Sequence, residues 1–279
     1  MVNKHLFTID SKSTLLKLLN QFILVETKSN NAPITMKYIS ALFLLIFSVS
    51  IQVEVLAQSI ERPIHVVKKT GDFELNGDGS AEEWNQTEWI DLTQRNLMES
   101  TPERNTKMKL LYSETGLYVL FQNEDSLVTT PFTEDFENLW LGDVVEVFLW
   151  TNQSAPDYFE YEVTPLNYEL PLIVSNNDGE LLSWIPFDDT YGEGRKVRHQ
   201  TSVTGGEKEN GAAIDSWTAE MFIPYKLLHP LKNIDPNPGT TWRANFYRVD
   251  YDDEGAYWSW SLFEDTFHDY QNFGVLMFE

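Results

Sequence analysis

The segment "NLWLGDVVEVFLW", Asn138–Trp150, decides the fold of this chain. Its second half is rich in β-branched and aromatic residues and is typical of a strand. Because successive side chains of a strand point to opposite faces, Val145, Val147 and Leu149 share an aliphatic face that we expect in the deep core. The opposite face mixes one acid with apolar residues: Val144, Glu146, Phe148 and Trp150. A buried carboxylate without a partner is costly, so the main question is what Glu146 faces.

The next predicted strand, "YFEYEVTP" at residues 158–165, also carries acids on one face. Tyr158, Glu160, Glu162 and Thr164 point one way, and Phe159, Tyr161 and Val163 point the other. Glu146 and Glu162 can then be cross-strand neighbours. Acids beside tryptophan and tyrosine predict a shallow polar and aromatic groove, the surface expected for a sugar. Sugar rings pack C–H patches on aromatic faces, and their hydroxyls need carboxylate or amide partners. The alternative is a solvated sheet face with scattered acids.

The rest of the chain repeats this pattern of short apolar segments and turns. Strand candidates include "KMKLLYS", "GLYVLFQNED", "KVRHQTSV", "SWTAEMFIP", "TWRANFYRVD", "AYWSWSLF" and "FGVLMFE". Turn signals such as "NGDG", "TGGEKENG" and "DPNPG" separate them. Only "SAEEW" and "PYKLLHPL" resemble single helical turns. Many strands with little helix predict an all-β fold, an antiparallel β-sandwich of the jelly-roll or immunoglobulin-like kind.

The amino-terminal region has the features of an export leader. Met36 and a lysine precede an apolar run, Ile39–Val53, which is shorter than the roughly 20 residues of a membrane helix. Small residues around "VLA" then predict cleavage after Ala57. We therefore divide the chain into a leader at 1–57, made of a mis-started extension at 1–35 and a signal peptide at 36–57, and one domain at 58–279. The alternative is a short buried helix.

Composition excludes several classes of function. With 20 basic and 43 acidic residues the formal net charge is −23, a field that repels nucleic acid and anionic membranes. The chain has no cysteine, which excludes disulfides, thiolate chemistry and a lipid anchor on cysteine. The sequence thus predicts a secreted or periplasmic protein, with no membrane span after cleavage, and we expect it to be a monomer.

Several segments, in order, resemble the family 9 carbohydrate-binding modules and their relatives in the DOMON-like superfamily. "FELNGDGSAEEWNQTEWIDL" is similar to that family's opening, and "TKMKLLYSETGLYVLFQNED" is similar to its hairpin. "LWLGDVVEVFL" resembles its signature, "YFEYEVTPLN" the strand that follows, and "SWTAEMFIPYKLL", "WRANFYRVD" and "FHDYQNFGVLMF" its later strands. The resemblance covers roughly Ile64–Glu279. It implies a β-sandwich of the kind that accompanies secreted glycoside hydrolases.

The resemblance also implies a ligand site. The family clamps a sugar ring between two aromatic side chains, and Trp140 and Phe267 stand at those two places, with His268 next to the second. Glu146 would accept hydrogen bonds from the sugar hydroxyls. The family uses an arginine in the strand after the signature, where this chain has Glu162, so the missing donor would come from "WRANFYRVD", through Arg243, Asn245 or Arg248.

Bound calcium is the one ion that we expect, although binding requires no cofactor. The acidic excess and the resemblance together point to loop carboxylates, which suit hard cations. The candidate ligands are Asp78, Asp250, Asp252 and Asp253. Asp143, at the start of the signature strand, either caps a turn or joins such a site.

Two other chemistries have weaker support in the sequence. Glycoside hydrolysis needs two carboxylates about 5–10 Å apart, and among so many acids a candidate pair carries no information. No "GxSxG" nucleophile motif is present. Some DOMON-like relatives bind haem through methionine and histidine, but we expect Met108, Met221 and Met277 in the core. Among the tryptophans, we expect Trp84 and Trp217 in the core and leave Trp258 and Trp260 open between core and groove.

These observations predict a secreted, non-catalytic protein that binds an oligosaccharide or polysaccharide and takes part in carbohydrate catabolism alongside glycoside hydrolases. Two alternatives stay open. One is a domain with its own hydrolysis of O-glycosyl bonds, and the other is a sandwich whose ligand face binds a protein partner.

Overall fold

β-Strands make up nearly all of the regular structure in the part of the chain that the structure describes. The computed structural model describes residues 62–97, 104–177, 180–186, 194–252, 255–263 and 266–279. The predicted leader, residues 1–57, lies outside this part of the chain, and residues 61–279 form one compact unit. Among the described residues, none lies in a helix with the length and apolar character to cross a membrane.

The described part of the chain contains fourteen strands and three short 3₁₀ helices. The strands are β1 Ile64–Lys69, β2 Ile90–Asp91, β3 Gln94–Leu97, β4 Thr106–Tyr112, β5 Gly116–Glu124, β6 Val144–Trp150, β7 Asp157–Val163, β8 Glu169–Asn177, β9 Glu180–Pro186, β10 Arg198–Thr204, β11 Ser216–Pro224, β12 Thr241–Asp250, β13 Ala256–Ser259 and β14 Gly274–Phe278. The 3₁₀ helices are Glu82–Gln86, Leu139–Leu141 and Tyr270–Asn272.

Two sheets face each other and share the first strand. One sheet has the order β10-β11-β5-β4, with β2 beside β4, and the other has the order β14-β12-β6-β7-β8-β9. β13 lies on the β14 side of β12 and pairs β3 in turn. The first four residues of β1 pair with β14, and its last two residues pair with β4. The predicted antiparallel β-sandwich is confirmed, except that both pairings of β1 are parallel.

The main core lies between the two sheets and has the composition that alternation predicts. Val145, Val147 and Leu149 of β6 are fully buried in it. Leu110, Val119 and Met221 reach it from the opposing sheet, together with Trp217. A smaller cluster on the outer face of that sheet buries Trp84 beside Phe73 and Tyr118. Trp84 and Trp217 are thus both buried, as the sequence predicted.

The structure decides between core and groove for two tryptophans, and it shows that the predicted burial of one methionine is wrong. Trp258 and Trp260 both belong to the main core. Met108 and Met221 are buried as expected, whereas Met277 of β14 is 40% exposed. Met277 alternates with the buried Leu276 and Phe278, so its side chain points away from the core.

Candidate functional site

The open face of the β6 sheet, turned away from the main core, carries the acids that the sequence placed there. β6 and β7 are antiparallel neighbours, and their register pairs Glu146 with Glu162 and Phe148 with Glu160. The predicted cross-strand neighbourhood of Glu146 and Glu162 is therefore confirmed. On the other side of β6, Tyr247 of β12 lies opposite Glu146. Three glutamates thus occupy two adjacent rows of one sheet face.

A groove of about 420 Å³ opens over these rows. We call it the acidic groove. Its lining combines the three glutamates with aromatic and apolar side chains: Trp140, Glu146, Phe148, Glu160, Glu162, Leu172, Val249, Tyr251, Tyr257, Thr266, Phe267 and His268. The structure brings together five residues that the sequence predicted as ligand-binding, namely Trp140, Glu146, Glu162, Phe267 and His268.

The ring of Phe267 is held by a second aromatic layer. It stacks on the ring of Tyr247, with centroids 4.1 Å apart and an interplanar angle of 8°. The Tyr247 hydroxyl donates to the Phe267 carbonyl at 2.8 Å, and Asn245 Nδ2 donates to that hydroxyl at 2.8 Å. Asn245 does not line the groove. Its place behind Tyr247 makes it a positioning residue for the groove wall rather than a donor to a ligand.

His268 closes the groove beside Glu160. Its Nδ1 lies 2.6 Å from the Tyr158 hydroxyl and 3.9 Å from Glu160 Oε2. Its backbone carbonyl accepts a hydrogen bond from Asn176 Nδ2 at 2.7 Å. Burial lowers the pKa of His268 to about 4. The imidazole is therefore neutral at neutral pH and supplies no counter-charge to Glu160.

The three glutamates are buried, with Glu146 2%, Glu160 5% and Glu162 0% exposed. Burial raises the pKa of Glu160 to about 8 and raises the pKa values of Glu146 and Glu162 well above their usual range. Mutual repulsion of the carboxylates raises the pKa values of Glu146 and Glu162 further, while the Trp140 backbone N–H lowers that of Glu162. Uncharged glutamic acids therefore predominate on this face near neutral pH.

Asp143 has a structural partner at each oxygen. It is fully buried, its Oδ2 accepts from the Thr129 backbone N–H at 2.5 Å, and its Oδ1 accepts from the Tyr251 backbone N–H at 2.8 Å. These bonds connect the entry of β6 to two loops, one of which carries the groove residue Tyr251. Asp143 thus holds two loops together through long-range hydrogen bonds, rather than capping a local turn as one of its two predicted alternatives had it.

The predicted donors Arg243 and Arg248 lie outside the acidic groove. Arg243 Nε donates to the Phe273 carbonyl at 2.8 Å, and Nη2 donates to the Gln271 carbonyl at 2.8 Å. Arg248 is fully buried on the core side of β12, where its guanidinium stacks on Trp258. No lysine or arginine among the groove's lining residues therefore replaces the arginine that the family uses.

Arg248 belongs to a buried charge network that includes two of the predicted calcium ligands. Its Nη2 lies 2.9 Å from Asp250 and 3.1 Å from Asp125. Arg104 pairs with Asp250 at 2.6 Å and with Asp252 at 2.8 Å. The carboxylates of these three aspartates offer oxygens within 4.8 Å of one another. Two guanidinium groups already supply the positive charge there, so the donor set does not fit calcium.

The other predicted calcium ligands are not part of this network. Asp78 is exposed, and its Oδ1 accepts from the Ser80 backbone N–H at 2.9 Å. Asp253 lies outside the described residues. The predicted set is therefore not brought together at one place among the residues that the structure describes.

The sequence prediction did not assign five polar or aromatic residues of the groove to the ligand site: Phe148, Glu160, Tyr251, Tyr257 and Thr266. Glu160 had been placed on the right face, and its alternation with Glu162 was the available signal. Tyr251 and Thr266 lie outside strands, where a period of two gives no direction.

Comparison with known proteins finds relatives with the same fold. In a curated "Extracellular protein" of Arthroderma benhamiae, 169 aligned residues are 27% identical, covering 60% of this chain and 71% of that protein. A candidate carbohydrate-binding protein of Bacteroides uniformis superposes with a TM-score of 0.65 at 19% identity, over 78% of this chain and all of that one.

Two structures of a family 9 carbohydrate-binding module from Caldicellulosiruptor kristjanssonii also superpose, each with a TM-score of 0.54 over 78% of this chain. The one in complex with glucose is 20% identical over 96% of its own chain, and the one with cellotriose is 18% identical over 94%. The model of the carbohydrate family 9 binding domain-like family matches residues 75–278. The chain belongs to this family.

Proposed function

We propose that this chain is a secreted, non-catalytic protein that binds an oligosaccharide or polysaccharide in the acidic groove and acts beside separate glycoside hydrolases in carbohydrate catabolism. One observation carries the proposal. Trp140 and Phe267 line the same groove as the carboxyl groups of Glu146, Glu160 and Glu162. Such a surface offers aromatic faces for the C–H patches of a sugar ring and polar groups for its hydroxyls.

The chemistry of the glutamates fits hydroxyl groups. A protonated carboxyl group donates one hydrogen bond and still accepts others, and a sugar hydroxyl also both donates and accepts. Because burial keeps Glu160 and its neighbours largely protonated, the groove offers both kinds of partner without an arginine. The family membership, the glucose and cellotriose complexes of the bacterial module, and the name of the fungal relative support the proposal.

A glycan-array screen of the purified protein, followed by calorimetric titration with the glycans that it identifies, tests the proposal. We expect saturable binding of a soluble oligosaccharide with a change in tryptophan fluorescence, since Trp140 lines the groove. A protein that is folded by thermal unfolding but binds no glycan would contradict it, and would favour the protein-partner alternative.

Trp140→Ala should weaken glycan binding about tenfold or more. Burial of about 60 Å² of apolar surface against the indole contributes roughly 1.5 kcal/mol, a factor of about ten in affinity. Trp140 is only partly buried, so the loss of stability should be small beside the roughly 3–5 kcal/mol of a core tryptophan such as Trp217. Titration calorimetry and thermal unfolding measure the two effects.

The matched control is Trp89→Ala. Trp89 is 38% exposed and lies outside the acidic groove, where Lys107 and Lys109 contact its ring. We expect this variant to bind like the parent protein. Equal binding by both variants, or unfolding of Trp140→Ala, would place the ligand elsewhere.

The proposal that the protein is exported depends on the predicted leader sequence. We expect amino-terminal sequencing of the exported protein to begin near Gln58, after the "VLA" cleavage site. A mature protein that still begins with Met1 would show that the segment is retained.

A further inference from the structure

The acidic groove lacks a positive charge to match its acids. No described lysine or arginine forms an ion pair with Glu146, Glu160 or Glu162, and the basic group nearest to Glu160 is His268, at 3.9 Å. Glu146 lies directly opposite Glu162 on the neighbouring strand, where two negative charges would repel each other. Without a cation the acids therefore stay largely protonated, whereas a positive charge bound beside them would favour their ionised form.

The oxygens of these glutamates also have few hydrogen-bond donors. Both oxygens of Glu162, which is 0% exposed, and Oε2 of Glu160 have no donor in standard hydrogen-bond geometry among the described residues, although the Trp140 backbone N–H lies close enough to lower the pKa of Glu162. Leaving a buried polar atom unsatisfied costs about 1–3 kcal/mol. A ligand that donates several hydrogen bonds at this point would remove that cost.

A bare metal ion does not fit this arrangement. Among the described residues, only Asp125, Asp250 and Asp252 bring three ligand atoms within 4.8 Å of one another, and the groove glutamates do not. Their carboxyl groups are instead distributed over two rows of the sheet, a spacing that suits a larger organic ligand. That ligand would carry its positive charge on one substituent.

A protonated amine matches both the charge and the hydrogen bonds. An ammonium group has three donors and no acceptor, so all of its contacts with carboxylates are favourable. The aromatic lining adds cation–π attraction, which needs the cation within about 6 Å of a ring. Trp140, Tyr251, Tyr257 and Phe267 supply rings around the groove.

We propose that the acidic groove selects saccharides that carry a free amine, such as oligomers of glucosamine, over neutral or N-acetylated saccharides. The inference rests on the proposed function, because the aromatic lining is taken to hold the sugar ring. It goes further in assigning Glu160 and Glu162 as the residues that recognise the amine, at the place where the family resemblance implies an arginine.

Titration of the purified protein with three oligosaccharides of equal length tests the proposal: β-1,4-linked glucosamine, its N-acetylated form, and cello-oligosaccharide. We expect the amine form to bind at least about tenfold more tightly than the other two, the scale of a hydrogen bond to a charged group. Glu162→Gln should reduce this preference about tenfold. Glu74→Gln, at a fully exposed glutamate outside the groove, should leave it unchanged.

The outcomes separate the two proposals. Equal binding of neutral and amine-bearing sugars would overturn the amine preference and leave glycan binding intact. No binding of any of the three, with no glycan found by the array, would overturn both. A lysine-rich peptide that binds as tightly as the glucosamine oligomer would show recognition of any amine and overturn sugar selection. If Glu162→Gln does not fold, Glu160→Gln takes its place, and an undiminished preference in that variant would contradict the assignment.

Discussion

Arg248→Met should lower the free energy of unfolding by about 3–5 kcal/mol, as expected when one partner of a buried ion pair is removed. Arg248 is fully buried and pairs with Asp125 and Asp250. It also donates to Thr106 Oγ1 at 3.0 Å and to the Glu124 carbonyl at 2.7 Å. Methionine fills part of the volume but leaves the aspartates with one guanidinium fewer. Urea unfolding followed by tryptophan fluorescence measures the change.

Arg198→Met is the matched control for this prediction. Arg198 also pairs with an acid, Glu74, at 3.1 Å, but both side chains are well exposed. An exposed pair of this kind contributes about 0–1 kcal/mol. Equal, small losses in the two variants would mean that the buried network contributes no more than a surface pair. Lost glycan binding by an Arg248 variant of unchanged stability would instead restore Arg248 as a ligand residue.

The free energy of unfolding should also fall as the pH rises from about 6.5 to about 8. Glu160 has a pKa of about 8 in the folded protein, against an ordinary value of 4.5. Between these values the unfolded chain releases the proton and the folded protein keeps it, so rising pH favours the unfolded chain. The slope is about 1.4 kcal/mol per pH unit for each proton retained. Glu146 and Glu162 act in the same direction.

His268 sets the lower limit of this pH range. Its pKa is about 4 in the folded protein, against an ordinary value of 6.5. Between these two pH values its contribution to the free energy of unfolding increases with pH, which opposes the decrease caused by Glu160. Above about pH 6.5 this opposition ends. Asp125, with a pKa of about 6, also titrates below the window. Burial raises the pKa values of the neighbouring phenols above 10, so they do not titrate within it: Tyr158, Tyr247 and Tyr251.

Urea unfolding at half-unit steps of pH measures the slope. Glu160→Gln should flatten it, because glutamine does not titrate, while Glu74→Gln should not. A stability that is constant or rises between pH 6.5 and 8 would show that the groove glutamates ionise at ordinary pH values.

Alternation predicted the floor of the site because it is a strict geometric rule. β6 and β7 are regular strands, so a period of two fixed the face of Glu146 and Glu162 before their partners were known. The same rule, applied to β12, would have placed Arg248 on the core side, with Trp242, Ala244 and Phe246. The prediction of Arg248 as a ligand residue was based on the family resemblance and did not take into account which face of β12 this residue occupies.

The strands that were missed include β1, β8 and β9, each for an identifiable reason. β8 contains Pro171, which has no backbone N–H, and it ends in two asparagines that signal a turn. β9 follows this turn signal immediately, and neither segment was predicted as a strand. β1 is exposed on most of its residues and lacks the alternation of a half-buried strand. Tyr251 and Thr266 reach the groove from loops, whose paths depend on contacts such as that of Asp143.

β1 also sets the order in which the sandwich can close during synthesis. It pairs with β14, the last strand of the chain, so this contact joins the two ends of the domain. β14 must leave the ribosome before β1 has both of its neighbours. Until then β14 is missing between β1 and β12, and both of these strands have an unpaired edge. Contacts of such long sequence separation slow folding, so we expect this domain to fold only after its last strand has left the ribosome.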